Sequence, residues 1–164
     1  MIGRQRELQI LEEIYNRPSF GFLTMYGRRR VGKTTILLEF AQKHKAIFYS
    51  AQEKNDALNL EDFSSAVQEF FDGSFIAPFQ GWEAALSYIS GKTGDEKTVI
   101  IIDEFPFIAS ANPSIKSMLQ HTIDHVWRDK NIMLILCGSS VSFMENEVMG
   151  YKSPLYGRIT DKME

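Results

Sequence analysis

The sequence predicts an α/β fold of three layers: a mostly parallel sheet of four to five strands with helices on both faces. Three observations carry that prediction. Short apolar runs alternate along the chain with longer segments of helical periodicity, and strands separated by helices imply right-handed crossovers and a parallel sheet. The run Thr98-Val-Ile-Ile-Ile-Asp103 is β-branched and nearly continuous, as a strand covered on both faces requires. Ile132-Met-Leu-Ile-Leu-Cys137 is a second apolar run of the same length.

Each element follows from local pattern. Leu8, Leu11, Ile14 and Tyr15 recur at helical spacing among charged residues, which predicts a helix over 4–16 that Pro18 ends. Residues 20–26 form an apolar run bounded by Gly27, a buried strand. From Gly32 to His44 the period becomes helical, with Ile36, Leu37, Phe40 and Ala41 on one side, and 46–50 reads as the next strand. An amphipathic helix is expected over 58–71, a loop through the Gly- and Pro-containing 72–81, and a further helix carrying Trp82, Ala85, Leu86 and Ile89. A polar turn over 91–97 leads into the strand 98–103. A helix is expected over 113–127, with proline at its start. The last strand is 132–137, followed by a short helix within 140–149 and a loop over 150–158.

Composition narrows the function classes. A chain of 164 residues has room for one domain with a real core, and 44% hydrophobic with 24% charged residues argues against disorder. The formal net charge of -3 gives no global attraction to nucleic acid, so a nucleic-acid partner would need a local basic face or another domain. The single cysteine, Cys137, forms no disulfide within the chain, which suits a reducing compartment. No stretch approaches the apolar length of a membrane span and the N-terminus has no signal-peptide pattern. The expected location is the cytoplasm, without membrane attachment.

The chemistry concentrates at strand ends, where ligands bind in such sheets. Gly27-Arg28-Arg29-Arg30-Val31-Gly32-Lys33-Thr34 matches G-x-x-x-x-G-K-[ST] in full, with an apolar strand before it and a helix after it. Glycines let the backbone curl so that successive N–H groups face phosphate oxygens, and the helix beginning near Gly32 points its positive end at the same anion. Lys33 supplies an ammonium for the β- and γ-phosphates, the Thr34 hydroxyl ligates Mg²⁺, and Thr35 adds a hydroxyl toward the α-phosphate. The side chains of Arg28, Arg29 and Arg30 read either as a solvated edge or as contacts to a partner.

Asp103 closes a strand of five apolar or β-branched residues, which places a carboxylate at the mouth to hold Mg²⁺. The next residue, Glu104, faces another side of an extended segment and is the candidate base for the attacking water. An isolated Asp-Glu pair is common at solvated strand ends; the phosphate loop some 70 residues earlier gives this pair its meaning. The strand 132–137 ends in Gly138-Ser139-Ser140. If it lies between the two motif strands, Ser139 or Ser140 reports the γ-phosphate, and either serves equally as a helix cap.

These residues resemble the archaeal-type ATPases of the AAA+/STAND branch of P-loop NTPases, with the Walker A and Walker B motifs just described. The matching pieces are Ile2-Gly3-Arg4, residues 26–35, Ile100 to Phe105, Leu134 to Ser140 and Pro154 to Arg158, in the expected order over nearly the whole chain. The resemblance implies that Arg4 lies near adenine and ribose. Gln5 stands where the family often has Glu. It also implies that Arg158 is a candidate arginine finger acting on a neighbouring subunit's nucleotide, in a homo-oligomer, with an ordinary surface arginine as the alternative. Relatives continue into a fifth strand, a helical lid and C-terminal domains, so residues 1–164 are expected to be a core domain cut before them.

The expected activity is Mg-dependent ATP hydrolysis, with Lys33, Glu104, Ser139 and Arg158 as the acting residues and ATP and ADP as ligands. The alternative is a nucleotide-gated switch with little or no turnover. A small-molecule kinase lacks a substrate motif, and a GTPase lacks the N-K-x-D signature. His121 and His125 stand one helical turn apart without the metalloprotease pattern and read as helix-face residues. Cys137 reads as a core residue, and Phe70, Phe71, Phe75, Phe79 and Trp82 as the packing of a helical insertion.

Overall fold

The computed structural model describes residues 2–27 and 32–164. Five strands form one sheet in the order β2-β3-β4-β1-β5: β1 Gly21–Tyr26, β2 Ile47–Ser50, β3 Thr98–Asp103, β4 Ile132–Gly138 and β5 Asp161–Met163. Every pairing is parallel. The connecting helices are α1 Ile2–Tyr15, α2 Lys33–His44, α3 Asp56–Asp72, α4 Trp82–Lys92, α5 Phe105–Ala111, α6 Ile115–His125 and α7 Val141–Phe143.

Alternation along the strands sorts the core into two layers. Leu23, Met25, Val99, Ile101, Met133, Ile135 and Cys137 pack with Leu11 and Ile14 of α1 and Ile36, Leu37 and Phe40 of α2. Phe22, Ile100, Ile102, Ile132, Leu134 and Leu136 face α3 to α6 on the other side. Each fully buried aliphatic side chain contributes about 1.5–3 kcal/mol, so the central strands β3 and β4, buried at every position, form the rigid frame of the mouth. Trp127, fully buried, donates its indole N–H to Ser90 Oγ at 2.7 Å and ties the start of β4 to α4.

The structure extends or trims several expected elements. Asn55 caps α3 by accepting the Leu58 N–H at 2.9 Å, which starts that helix two residues before the apolar pattern does. The helix expected over 113–127 ends at His125, and a 3₁₀ turn over Trp127–Asp129 follows. Residues 144–148 after α7 wind as a π turn, with the Met149 N–H donating to the Met144 carbonyl at 2.8 Å. Two elements carry no sequence signal of their own. Helix α5 has only seven residues, with proline in its first turn. Strand β5 has three, two of them charged. The expectation that a fifth strand lies beyond this chain is corrected: β5 pairs with β1 through Leu23, Thr24 and Met25. Its entry is fixed by Thr160, whose N–H donates to the Phe22 carbonyl at 2.9 Å.

Phe71 and Phe79 pack against the larger core layer beside buried Trp82, as expected of an insertion, whereas Phe70 and Phe75 are exposed. The loop between α3 and α4 lies along α3, because the Gln68 amide bonds both the Ile76 N–H (3.0 Å) and the Ala77 carbonyl (2.6 Å). His121 and His125 lie on α6 with ring centroids 4.2 Å apart.

Candidate functional site

The carboxyl ends of β1, β4 and β3 lie side by side, with β4 in the middle, and bring three sequence motifs to one mouth. Gly27 follows β1 at φ 148° and Gly32 precedes α2 at φ 84°. Both values fall where a Cβ is disfavoured, so glycine is what lets the chain turn here. Arg28, Arg29, Arg30 and Val31 lie outside the described residues. At the head of α2, Lys33 is buried, with 8% of its surface exposed, and among its contacts donates through Nζ to the Gly27 carbonyl at 2.6 Å. The ammonium therefore spans the loop from its last turn back to its first residue. Thr34 and Thr35 follow, both exposed on the first turn of α2.

Thr34 Oγ1 donates to Asp103 Oδ2 at 2.9 Å. Asp103 is 2% exposed, and its other oxygen, Oδ1, accepts the Glu104 N–H at 3.0 Å. A carboxylate at this depth needs such donors, because an unpaired buried charge is costly. Its position follows from strand parity: Asp103 projects to the α2 side, as Val99 and Ile101 do. Cys137 of β4 projects to the same side next to it. Burial first, and then the Asp103 carboxylate, push the Cys137 thiol well above its ordinary range, so it stays protonated. Cys137 is thus the core residue expected, with a neighbour that the sequence did not reveal.

Glu104 adopts φ 54° and ψ 41°, a left-handed conformation unusual for a side chain of its kind. Such a turn costs on the order of 1–3 kcal/mol and is held by its surroundings. Here it ends β3, opens α5 and carries the carboxylate to β4, where Ser139 Oγ donates to Glu104 Oε1 at 2.6 Å. Of the two serines left open by sequence, Ser139 is half-buried at this contact. Ser140 is exposed, caps α7 with its backbone and makes no side-chain cap bond. Gly138 lets the two segments approach: a Cβ there would lie 2.8 Å from Met144 Sδ and 2.9 Å from the Pro106 ring.

The loop after β2 flanks the same mouth. Its Ala51 N–H donates to the Asp103 carbonyl at 2.9 Å. Buried Asn59 exchanges two bonds with the Gln52 backbone, at 3.2 and 3.0 Å, and also accepts the Tyr49 hydroxyl. Asn59 and Gly138 are the organising residues that sequence reading missed. A polar residue inside a helical stripe and a glycine at a strand end were their only signals.

Two predicted residues lie away from this cluster. Arg4, near the start of α1, pairs with Glu39 of α2 at 2.7 Å. Arg158 forms a two-pronged pair with Asp124 at the end of α6, at 3.0 and 2.7 Å. It precedes Thr160, which bonds Phe22 at the start of β1. The five residues from Phe22 to Gly27 span roughly 16 Å, so Arg158 sits toward the opposite end of the sheet from Gly27. The Asp124 carboxyl is held below its usual range, first by the Arg158 hydrogen bond.

Among the described residues no helix is long and apolar enough to cross a membrane. A family model described as an ATPase domain predominantly from Archaea matches residues 1–162. An uncharacterized protein of Methanocaldococcus jannaschii is 35% identical over 159 residues, covering 97% of this chain and 34% of the relative. The chain therefore spans about a third of that protein's length. Among solved structures, the Walker-type ATPase of Pyrococcus abyssi superposes with a TM-score of 0.72 at 21% identity, covering 98% of this chain and 52% of that one. Cdc6p of Pyrobaculum aerophilum superposes at 0.56 with 17% identity over 87% of this chain and 40% of its own. Both likenesses concern the fold.

Proposed function

Because this chain belongs to the family of ATPase domains found predominantly in Archaea, we propose that it binds ATP with Mg²⁺ at the Gly27–Thr34 loop and transfers the γ-phosphoryl group to water. The observation that carries this reading is the 2.9 Å contact of Thr34 Oγ1 with Asp103 Oδ2, beside Lys33. Two hard oxygen donors from different elements converge at the head of a helix, and they suit a small divalent cation that keeps most of its water ligands. When bound, Mg²⁺ neutralises charge on the phosphate oxygens. Lys33 exchanges the Gly27 carbonyl for phosphate oxygens, and the N-terminus of α2 adds its dipole. Glu104 accepts a proton from the attacking water and Ser139 contacts the γ-phosphate. Arg4 is proposed near the base and ribose.

A second reading is favoured by one observation. The Glu104 carboxylate already accepts the Ser139 hydroxyl at 2.6 Å, and a base held in this way suits a nucleotide-gated switch with slow turnover. We assign the protein to the cytoplasm. Arg158 of one copy is proposed to serve the nucleotide of another, and a protein or a nucleic acid is proposed as the partner of the whole protein.

The test is titration of labelled ATP with Mg²⁺ into wild type, Lys33→Ala and Glu104→Gln, followed by hydrolysis assays across protein concentration. The enzyme reading expects loss of binding in the first variant and loss of turnover with retained binding in the second. Equal turnover in wild type and Glu104→Gln would establish the switch instead. Unchanged binding in Lys33→Ala would remove the nucleotide site from this loop.

A further inference from the structure

We infer that the outer face of α3, with the loop that returns along it, is a docking surface for a basic protein segment: a helix that sets Lys or Arg beside leucine-like side chains. This narrows the partner class named above and draws on nothing at the nucleotide mouth. Residues 55–91 hold six Asp or Glu and no Lys, Arg or His. The whole chain carries a net charge of only -3, so charge is segregated: this unit is acidic and the remainder is net positive. Leu58, Asp62, Glu69 and Asp72 are spaced so that they share one side of α3. All four are exposed, while Phe63 and Val67 turn into the core. The row runs roughly 21 Å along the helix. Asp62 pairs with Lys54 and Asp72 with Lys92. Glu61 and Glu69, both exposed, form no ion pair among the described residues.

Beside these acids stands an apolar tip that the fold holds out. The loop after α3 folds back over Gln68 and Ser64, both buried. Gln68 bonds the Ile76 N–H and the Ala77 carbonyl, and Ser64 Oγ accepts the Phe79 N–H at 3.0 Å. Ile76 is therefore fixed level with the turn of α3 that bears Glu69, yet it is 86% exposed. Leu58 is 47% exposed and Phe75 36%. A loop pinned by buried side chains loses little further freedom when a partner covers it. Apolar anchors within a polar, charged rim are the anatomy of a protein contact. The carboxylates repel the phosphates of nucleic acid and an anionic lipid surface, and they steer and orient Lys and Arg. A helix laid beside α3 repeats at the same pitch as the row and meets it at successive turns.

The experiment is fluorescence anisotropy of a labelled synthetic helix, with leucines on one face and lysines on the rest, titrated with the full chain in the absence of nucleotide. Saturable binding is expected, weakening as salt screens the charges. Ile76→Ser should weaken it about tenfold or more, the worth of one buried aliphatic side chain, and Glu69→Lys should weaken it by a similar factor. Both side chains are exposed, and unchanged circular dichroism should show that neither variant alters the fold. Glu13→Lys, an exposed reversal on α1 across the sheet, should leave the affinity as it was. A peptide of the same composition with its apolar face scrambled should bind weakly. Absence of saturable binding, an equal loss from Glu13→Lys, or equal affinity for the scrambled peptide would overturn the surface. Tighter binding of a DNA duplex or of anionic vesicles would overturn the partner class. Self-association in sedimentation that Ile76→Ser abolishes would give the surface to a second copy of this chain instead.

Discussion

Thr34 and Asp103 meet across 2.9 Å, one on the first turn of α2 and the other at the tip of β3. Their bond crosses 69 positions of sequence and fixes the head of α2 against the central sheet. With Mg²⁺ present, both oxygens are proposed to turn to the cation. Asp103→Asn keeps the shape and removes the charge. Hydrolysis should fall roughly 10²-fold or more, since a metal's charge stabilisation is worth several kcal/mol. Phosphate release titrated against Mg²⁺ checks this, with a rightward-shifted Mg²⁺ dependence expected.

Lys33 is a buried cation at the head of α2. Hydrogen bonds to charged groups contribute about 1.5–3 kcal/mol, so Lys33→Ala should weaken ATP binding about 10- to 100-fold. The fold should persist, because Lys33 is the first residue of α2 and belongs to neither layer of the apolar core. Equilibrium binding of a fluorescent ATP analogue measures the loss, and far-ultraviolet circular dichroism verifies the helices.

Two glycines should respond oppositely to alanine. At Gly138 the added methyl meets Pro106 and Met144 at 2.8–2.9 Å, and overpacking of this kind costs about 1–3 kcal/mol. Turnover should fall too, because the methyl pushes Ser139 and Glu104 apart. At Gly91, within α4, nothing lies within 4 Å, so alanine should stabilise by up to about 1 kcal/mol. Urea unfolding of both variants distinguishes the two environments.

The Arg158–Asp124 pair gives an acid-side prediction. A carboxyl whose folded value is depressed adds stability above its unfolded value, about 3.9, and loses it as pH falls through the folded one. Asp124 is depressed chiefly by its Arg158 bond. Asp124→Asn should therefore lower stability by about 1 kcal/mol or less at neutral pH, given the partial exposure of the pair. It should also flatten the decline below about pH 4. Unfolding midpoints between neutral and acid pH test the sign. In hydrolysis assays Arg158→Ala should matter only at protein concentrations where copies meet.

How much could be read from sequence depended on whether a signal was local. The runs at 98–103 and 132–137 declared two buried strands, and the loop 27–34 with Asp103 and Glu104 declared a mouth, because β-branched monotony and glycine spacing are properties of contiguous residues. The fate of Ser139 was undecidable, since its partner Glu104 is 35 residues away. The same applies to Asn59, which resembles any polar residue on a helix until Gln52 folds back onto it. Strand β5 escaped notice for another reason: three residues with two charges are made a strand by the open edge of β1, which is a tertiary cause. Arg158 was legible as an arginine of interest, but its address at the far end of the sheet required the Thr160–Phe22 bonds.

That address constrains any assembly using Arg158. The donor end and the receiving end of one molecule lie toward opposite ends of the strands, so two copies related by a twofold axis can serve each other only if they lie antiparallel. Copies aligned alike instead join unlike surfaces, each giving at one pole and receiving at the other. Such a contact closes into a ring if its rotation divides the circle and otherwise grows as a filament.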